Sequence, residues 1–182
     1  MVEADFFGKI ETVDAQRDSE WLRAGRYLAY IRKFFARNLR DGGGKMAGFE
    51  LVILKVVDPT NAAQDAGGPH HAGDRTTWGF MLRQDAAWPA MKTAIASIMG
   101  VKPEEVTSEV CLECAQDDQP LAGLVVELEG KIIITKKNER PFNRITVKRV
   151  VPASEVLEAV EENSLKSFHI DVAALKAEAA GK

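Results

Sequence analysis

Cysteine is scarce in this chain: there are two in 182 residues, Cys111 and Cys114. So few in a chain of this size exclude a disulfide scaffold, and reduced thiols in a cytoplasm are the expectation. Long hydrophobic runs are also missing. No stretch approaches the ~20 apolar residues that a membrane helix needs. The opening MVEADFFGKIETVDAQRD is acidic and lacks the basic start and apolar core of a signal peptide, so a cytoplasmic protein with no membrane partner is expected. Catalytic signatures are absent too. There is no glycine-rich phosphate loop, nucleophile elbow or H-E-x-x-H. Neither enzymatic activity nor a cofactor is expected. Cys111-Leu-Glu-Cys114 could join His70 and His71 as a zinc set on paper, but the histidines come some forty residues earlier and no second C-x-x-C exists, so no metal is expected.

What is present is a split of charge. The net charge is only −3, which argues against a polyanion ligand until the distribution is read. Arg23 to Lys45 holds seven basic residues and one acid, Asp41, a local +6. Lys131 to Arg149 again holds seven and one acid, Glu139, a second +6, which leaves −15 on the rest. Two cationic segments on an acidic body are the footprint of a directed polyanion site.

Hydrophobic content of 46% supports one core of ordinary size. Branched and aromatic residues with period-2 character predict strands at 25–35, 49–57, 75–82, 121–134 and 142–151. The loop ARNLRDGGGKMAG separates the first two strands and is flexible at glycines 42–44. Gly79 inside the third strand predicts a bulge or a close approach. Between the third and fourth strands the period becomes helical, over 85–99 with Asp85 as N-cap and Gly100 as stop, and again over 103–115. Amphipathic helices follow Pro152. The reading is of residues 1–22 as a lead-in, 23–151 as the domain and 152–182 as a helical extension. Three strands, a helical insert and two strands is the order of an OB-fold, a five-stranded Greek-key barrel, and the fold class is mainly β with helical additions.

Single strands are held by cations that track phosphates and by flat rings that stack on bases. Alternation in the first strand sets Arg26, Leu28, Tyr30, Arg32 and Phe34 apart from Tyr27, Ala29 and Ile31, and the first set mixes cations with rings. In the second strand Val52, Leu54 and Val56 are read as inward, with Phe49, Leu51, Ile53 and Lys55 opposite. Apolar on both faces, this strand is expected to be covered on both. Trp78 and Phe80 share a face of the third strand. In the last strand Ile145 and Val147 point one way while Phe142, Arg144, Thr146 and Lys148 point the other. The loops contribute Arg37, Arg40 and Lys45 on one side and Lys136, Lys137 and Arg140 on the other. The candidate binding set is therefore Arg26, Tyr30, Arg32, Phe34, Arg37, Arg40, Lys45, Phe49, Trp78, Phe80, Lys136, Lys137, Arg140, Phe142, Arg144 and Lys148. In an OB-fold the first and last hairpin loops flank the ligand face, and these are the two +6 segments.

From Gly25 to Val151 the chain resembles small OB-fold single-stranded DNA-binding proteins encoded largely by bacteriophages. The features are GRYLAYI, GDRTTWGFML, IMGV before PEEVT, QPLAGLVVELEG and KKNERPFNRITV. The resemblance implies sequence-tolerant binding of single strands in phage DNA replication, recombination or repair, in the host cytoplasm, around Tyr30, Trp78 and Phe142. Such proteins often end in an acidic tail that recruits replication or recombination partners; here Glu155–Glu162 is acidic but the chain ends AALKAEAAGK. RNA binding on the same scaffold stays open, as do a protein-interaction module working through the helical C-terminus and a homo-oligomer.

Overall fold

Stretches rich in branched and aromatic residues form one largely antiparallel sheet. The computed structural model describes residues 20–40, 44–61, 67–116, 119–134 and 141–181. The long strands are β2 (Gly25–Asn38), β3 (Lys45–Asp58), β4 (Arg75–Met81), β5 (Val125–Ile134) and β6 (Pro141–Val151), preceded by the two-residue β1 (Glu20–Trp21). Their order across the sheet is β1-β4-β3-β2-β5-β6, with β1 parallel to β4 and every other pair antiparallel. The sheet is open, because no ladder joins β4 to β6 among the described residues. A closed barrel was the expectation; instead β1 takes the outer edge of β4.

Helix α1 (Ala87–Met99) lies between β4 and β6 in space as well as in sequence, touching both. Its buried stripe is Met91, Ala94, Ile95 and Ile98, the 3.6-residue period of a core-facing helix. Gly100 ends it at φ 72°, a left-handed conformation that glycine adopts without steric cost. The start differs from expectation: Ala86, not Asp85, is the N-cap, with no side-chain bond. The second insert helix is also shorter than expected. A 3-10 turn at Pro103–Glu105 precedes α2 (Ser108–Cys114), where the Thr107 side chain accepts from the Val110 N–H.

Two cores result. The larger lies between the inner sheet face and α1, with Tyr27, Ala29, Ile31, Phe34, Phe49, Leu51, Ile53, Trp78, Phe80, Val126 and Leu128. The second forms where α3 (Ala153–Ala159), α4 (Glu162–Ser167) and α5 (Val172–Ala180) cover part of the outer face. There Val156, Leu165, Val172 and Leu175 pack on Leu28, Val52, Leu54, Val125 and Val151. Fully burying one such aliphatic side chain is worth about 1.5–3 kcal/mol, so the C-terminal helices belong to the folded unit. β3 is covered on both faces, but Phe49, Leu51 and Ile53 occupy the larger core and Val52 and Leu54 the smaller, the reverse of the expected assignment.

One irregularity decides which residues of β2 face outward. Ile31 pairs with Leu51 and Lys33 with Glu50, so Arg32 is an extra residue in β2. A bulge of this kind switches the faces of everything that follows. Beyond it Phe34 points into the core and Lys33, Phe35 and Arg37 point outward.

Candidate nucleic-acid interface

The predicted aromatics fall mostly inside. Phe49 has no exposed surface and Trp78 only 6%. Phe34, Phe49, Trp78 and Phe80 form one cluster, with Phe49 centred 5.0 Å from Phe34, 5.3 Å from Trp78 and 6.3 Å from Phe80. These four are corrected from base-stacking candidates to core: the bulge at Arg32 turns Phe34 inward, and Phe49 lies on the core face of β3 with Leu51 and Ile53, paired to Trp78. Tyr30 is corrected as well. It packs half-buried in the second core, where burial, and after it the Asp171 carboxylate, pushes its hydroxyl pKa up.

Two predicted cations are spent on carboxylates. Arg26 hydrogen-bonds and ion-pairs with Glu127, which also accepts from Arg149 Nε at 2.9 Å. Burial alone would raise the Glu127 pKa, but the bonds from Arg149 and Arg26 outweigh it and hold the carboxyl below the usual range. Lys148 Nζ lies 3.4 Å from Glu129 Oε2, a carboxylate it shares with Lys131. Sequence reading missed these pairs because Glu127 and Glu129 lie on the neighbouring strand. Arg32, Arg37, Arg40, Lys45 and Arg144 are exposed and form no ion pair among the described residues. Lys136, Lys137 and Arg140 lie outside the described residues.

Beyond the C-terminal helices the outer face is lined by its own side chains, with Met46 and Thr77 buried in it. The register lays rows across it: Lys33, Glu50 and Thr77; then Phe35, Gly48 and Gly79; then Arg37, Met46 and Met81. Two adjacent glycines in the middle row make a floor without side chains. A methyl group at Gly48 would meet the Phe35 ring at 3.1 Å and the Trp78 carbonyl at 2.6 Å, and one at Gly79 would meet the Trp21 ring and Met46 Cε at 2.5 Å. Phe35 and Trp21 therefore lie down on the sheet over these glycines, which is the close approach Gly79 was expected to serve. The Arg37 guanidinium sits 5.1 Å from the centre of the Phe35 ring, within cation–π range.

Trp21 is the functional candidate that sequence reading missed. It is 53% exposed, while Leu22, next in the chain, is buried. The Leu22 N–H donates to the Thr77 carbonyl at 2.9 Å and its carbonyl accepts from Asn143 Nδ2 at 2.8 Å, so this residue spans from β4 to β6. Trp21 and Phe142, which is 56% exposed, each precede one partner of that hydrogen bond in the chain. Phe35 and Arg37 lie on the β2–β3 hairpin, and Phe142 and Arg144 on the β5–β6 hairpin.

The strap of residues 22–24 is pinned further. The Arg23 N–H donates to Nε2 of the fully buried His70 at 3.0 Å, and the Tyr27 hydroxyl donates to the Ala24 carbonyl at 2.7 Å. A protonated His70 could not accept that bond. Burial, then the Arg23 charge, hold its pKa below the ordinary 6.5, with Asp74 opposing. The unfolded chain thus binds a proton that the folded chain resists. This contribution to stability is complete above about pH 6.5 and is lost as the pH falls below it. The thermal midpoint is expected to drop between about pH 7.5 and pH 5.5, and to drop less in His70→Gln, followed by circular dichroism.

Among the described residues no group of three or more His, Cys, Asp or Glu is placed to hold a metal ion, and no helix is long and apolar enough to cross a membrane. Burial pushes both cysteine thiols up. The chain matches no protein-family model and no curated protein.

Proposed function

We propose that this protein binds single-stranded DNA, with little dependence on sequence, on the outer face of the sheet. The observation that carries this reading is the set of rings Phe35 and Trp21 over the glycine floor and the exposed Phe142, with exposed cations on the β2–β3 and β5–β6 hairpins. Exposed rings such as Trp21 and Phe142 can stack on any base, and the exposed Arg32, Arg37, Arg40, Lys45 and Arg144 suit phosphates. A duplex keeps its bases stacked inside, where such rings gain nothing.

We further propose that the sheet is an OB-type barrel cut open between β4 and β6. Counting the five long strands, the helix follows the third, and the glycine floor lies on the second and third, the face through which OB-folds hold oligonucleotides. Protection or organisation of single strands during replication, recombination or repair, in phage or host, would need nothing more than this surface.

The test is fluorescence anisotropy of a labelled dT oligomer against its duplex, titrated with salt. Binding to dT is expected to be micromolar or tighter and to exceed duplex binding. With four to six phosphates neutralised, log K should fall with log salt at a slope of roughly −3 to −4. Flat anisotropy at low salt rules the proposal out; preference for an RNA oligomer in direct competition moves it to the other sugar.

A further inference from the structure

The half of β2 that carries Phe35 and Arg37 has β3 on one edge only. On its other edge β5 pairs as far as Tyr30, and the Gly123 N–H and Leu124 carbonyl bond both backbone groups of Ile31 at 2.9 Å. After the bulge at Arg32 no further strand pairs on this edge among the described residues. At that point Gln119 supplies a side chain instead. Phe34 N–H donates to Gln119 Oε1 at 2.8 Å, and Gln119 Nε2 donates to the Phe34 carbonyl at 3.0 Å. A primary amide can present one N–H and its carbonyl oxygen along one edge, so it bonds both backbone groups of Phe34 as one residue of a missing strand would.

The backbone of Gln119 is itself unusual. Its φ is +32°, although it has a Cβ and stands before Pro120, where extended backbone is favoured. Such a conformation persists when the surroundings over-determine it, and here the two bonds to Phe34 do so. Leu121, two residues on, is fully in the larger core and fixes the turn from below.

We propose that Gln119 is a positioning residue for the interface: by holding both backbone groups of Phe34, it sets the facing of Phe35 and Arg37 on the open sheet. The role rests on the single-strand reading above. Phe34 is anchored in the core and Phe35 is its immediate neighbour, so the peptide between them decides whether the Phe35 ring lies over Gly48 or swings free. Losing the amide leaves the arm held from one side. Binding a strand must then first order the arm.

The test is a double-mutant cycle. Gln119→Met keeps length and loses both bonds; Phe35→Ala removes the ring that Gln119 is argued to place. Each is expected to weaken dT binding by about five- to twentyfold, with the salt slope unchanged in Phe35→Ala and shallower in Gln119→Met, where Arg37 loses its place, and the double variant to be no worse than the poorer single. Amide exchange at Phe34 should also quicken in Gln119→Met. Should Gln119→Met fail to fold, Gln119→Glu, which keeps the acceptor for the Phe34 N–H, is read in the same cycle. Losses that multiply in the double variant, or wild-type affinity in either Gln119 variant, overturn the positioning role alone. A wild-type protein that ignores dT overturns the single-strand reading and this role together.

Discussion

Phe49→Ala is expected to cost roughly 3–5 kcal/mol of stability, the largest single effect on the fold. Phe49 has no exposed surface and stands at the centre of the Phe34, Trp78 and Phe80 cluster. Truncation would remove most of a ring from the middle of the core and leave a cavity that the paired strands β2 and β4 on either side cannot close without breaking ladder bonds. Domains of this kind are stable by about 5–15 kcal/mol in all, so the variant is near its limit. At roughly 2–4 °C per kcal/mol for a chain of this length, the midpoint should fall by about 6–20 °C. Phe49→Leu keeps most of the volume and should fold. Because this ring never meets solvent, Phe49→Leu should bind dT within about twofold of wild type. A tenfold loss of affinity in a folded Phe49→Leu would mean that the buried cluster opens to stack on bases, contrary to the placement described here.

The strand pattern was legible because branched and aromatic residues cluster between turn residues. Gly25, Asp58, Arg75, Ile134 and Val151 bound elements close to where periodicity puts them. The clean alternation of β6 also reads correctly, with Ile145 and Val147 turned to the core and Phe142, Arg144, Thr146 and Lys148 exposed. The errors have physical causes. A period-2 pattern cannot say which face is the core when both are apolar, so β3 was turned over. The bulge at Arg32 has no residue signature, and it moved Phe34 inside and Phe35 outside. The loop predicted over 36–48 is mostly strand, since Ala36–Asn38 and Lys45–Gly48 extend the hairpin on both sides. Trp21 was unreadable as a site because its role depends on a pairing with Thr77 more than fifty residues away. Its one local sign was an aromatic alternating with an apolar residue just ahead of a strand.

Trp21→Ala and Phe142→Ala should each weaken dT binding by roughly 5- to 150-fold, the range for removing one base–aromatic stack of about 1–3 kcal/mol. Both rings are more than half exposed, so their removal takes far less from the fold than a core ring does. The Leu22 backbone bonds to Thr77 and Asn143 do not involve the Trp21 ring, and the strap should survive its loss. Separate bases would stack on separate rings, so the two losses should multiply in the double variant, unlike the pair formed by Gln119 and Phe35. Trp21→Phe retains a smaller ring and should recover much of the affinity, which a purely structural contribution of Trp21 to the β4 edge would also allow. The salt slope separates the two explanations. If Trp21 stacks on bases, the slope in Trp21→Ala matches wild type, because no phosphate contact has been removed. If instead the strap collapses and drags the β6 arm with Arg144 out of place, the slope becomes shallower along with the affinity. Unchanged affinity in both alanine variants would remove these rings from the interface and leave only the exposed cations to explain any binding.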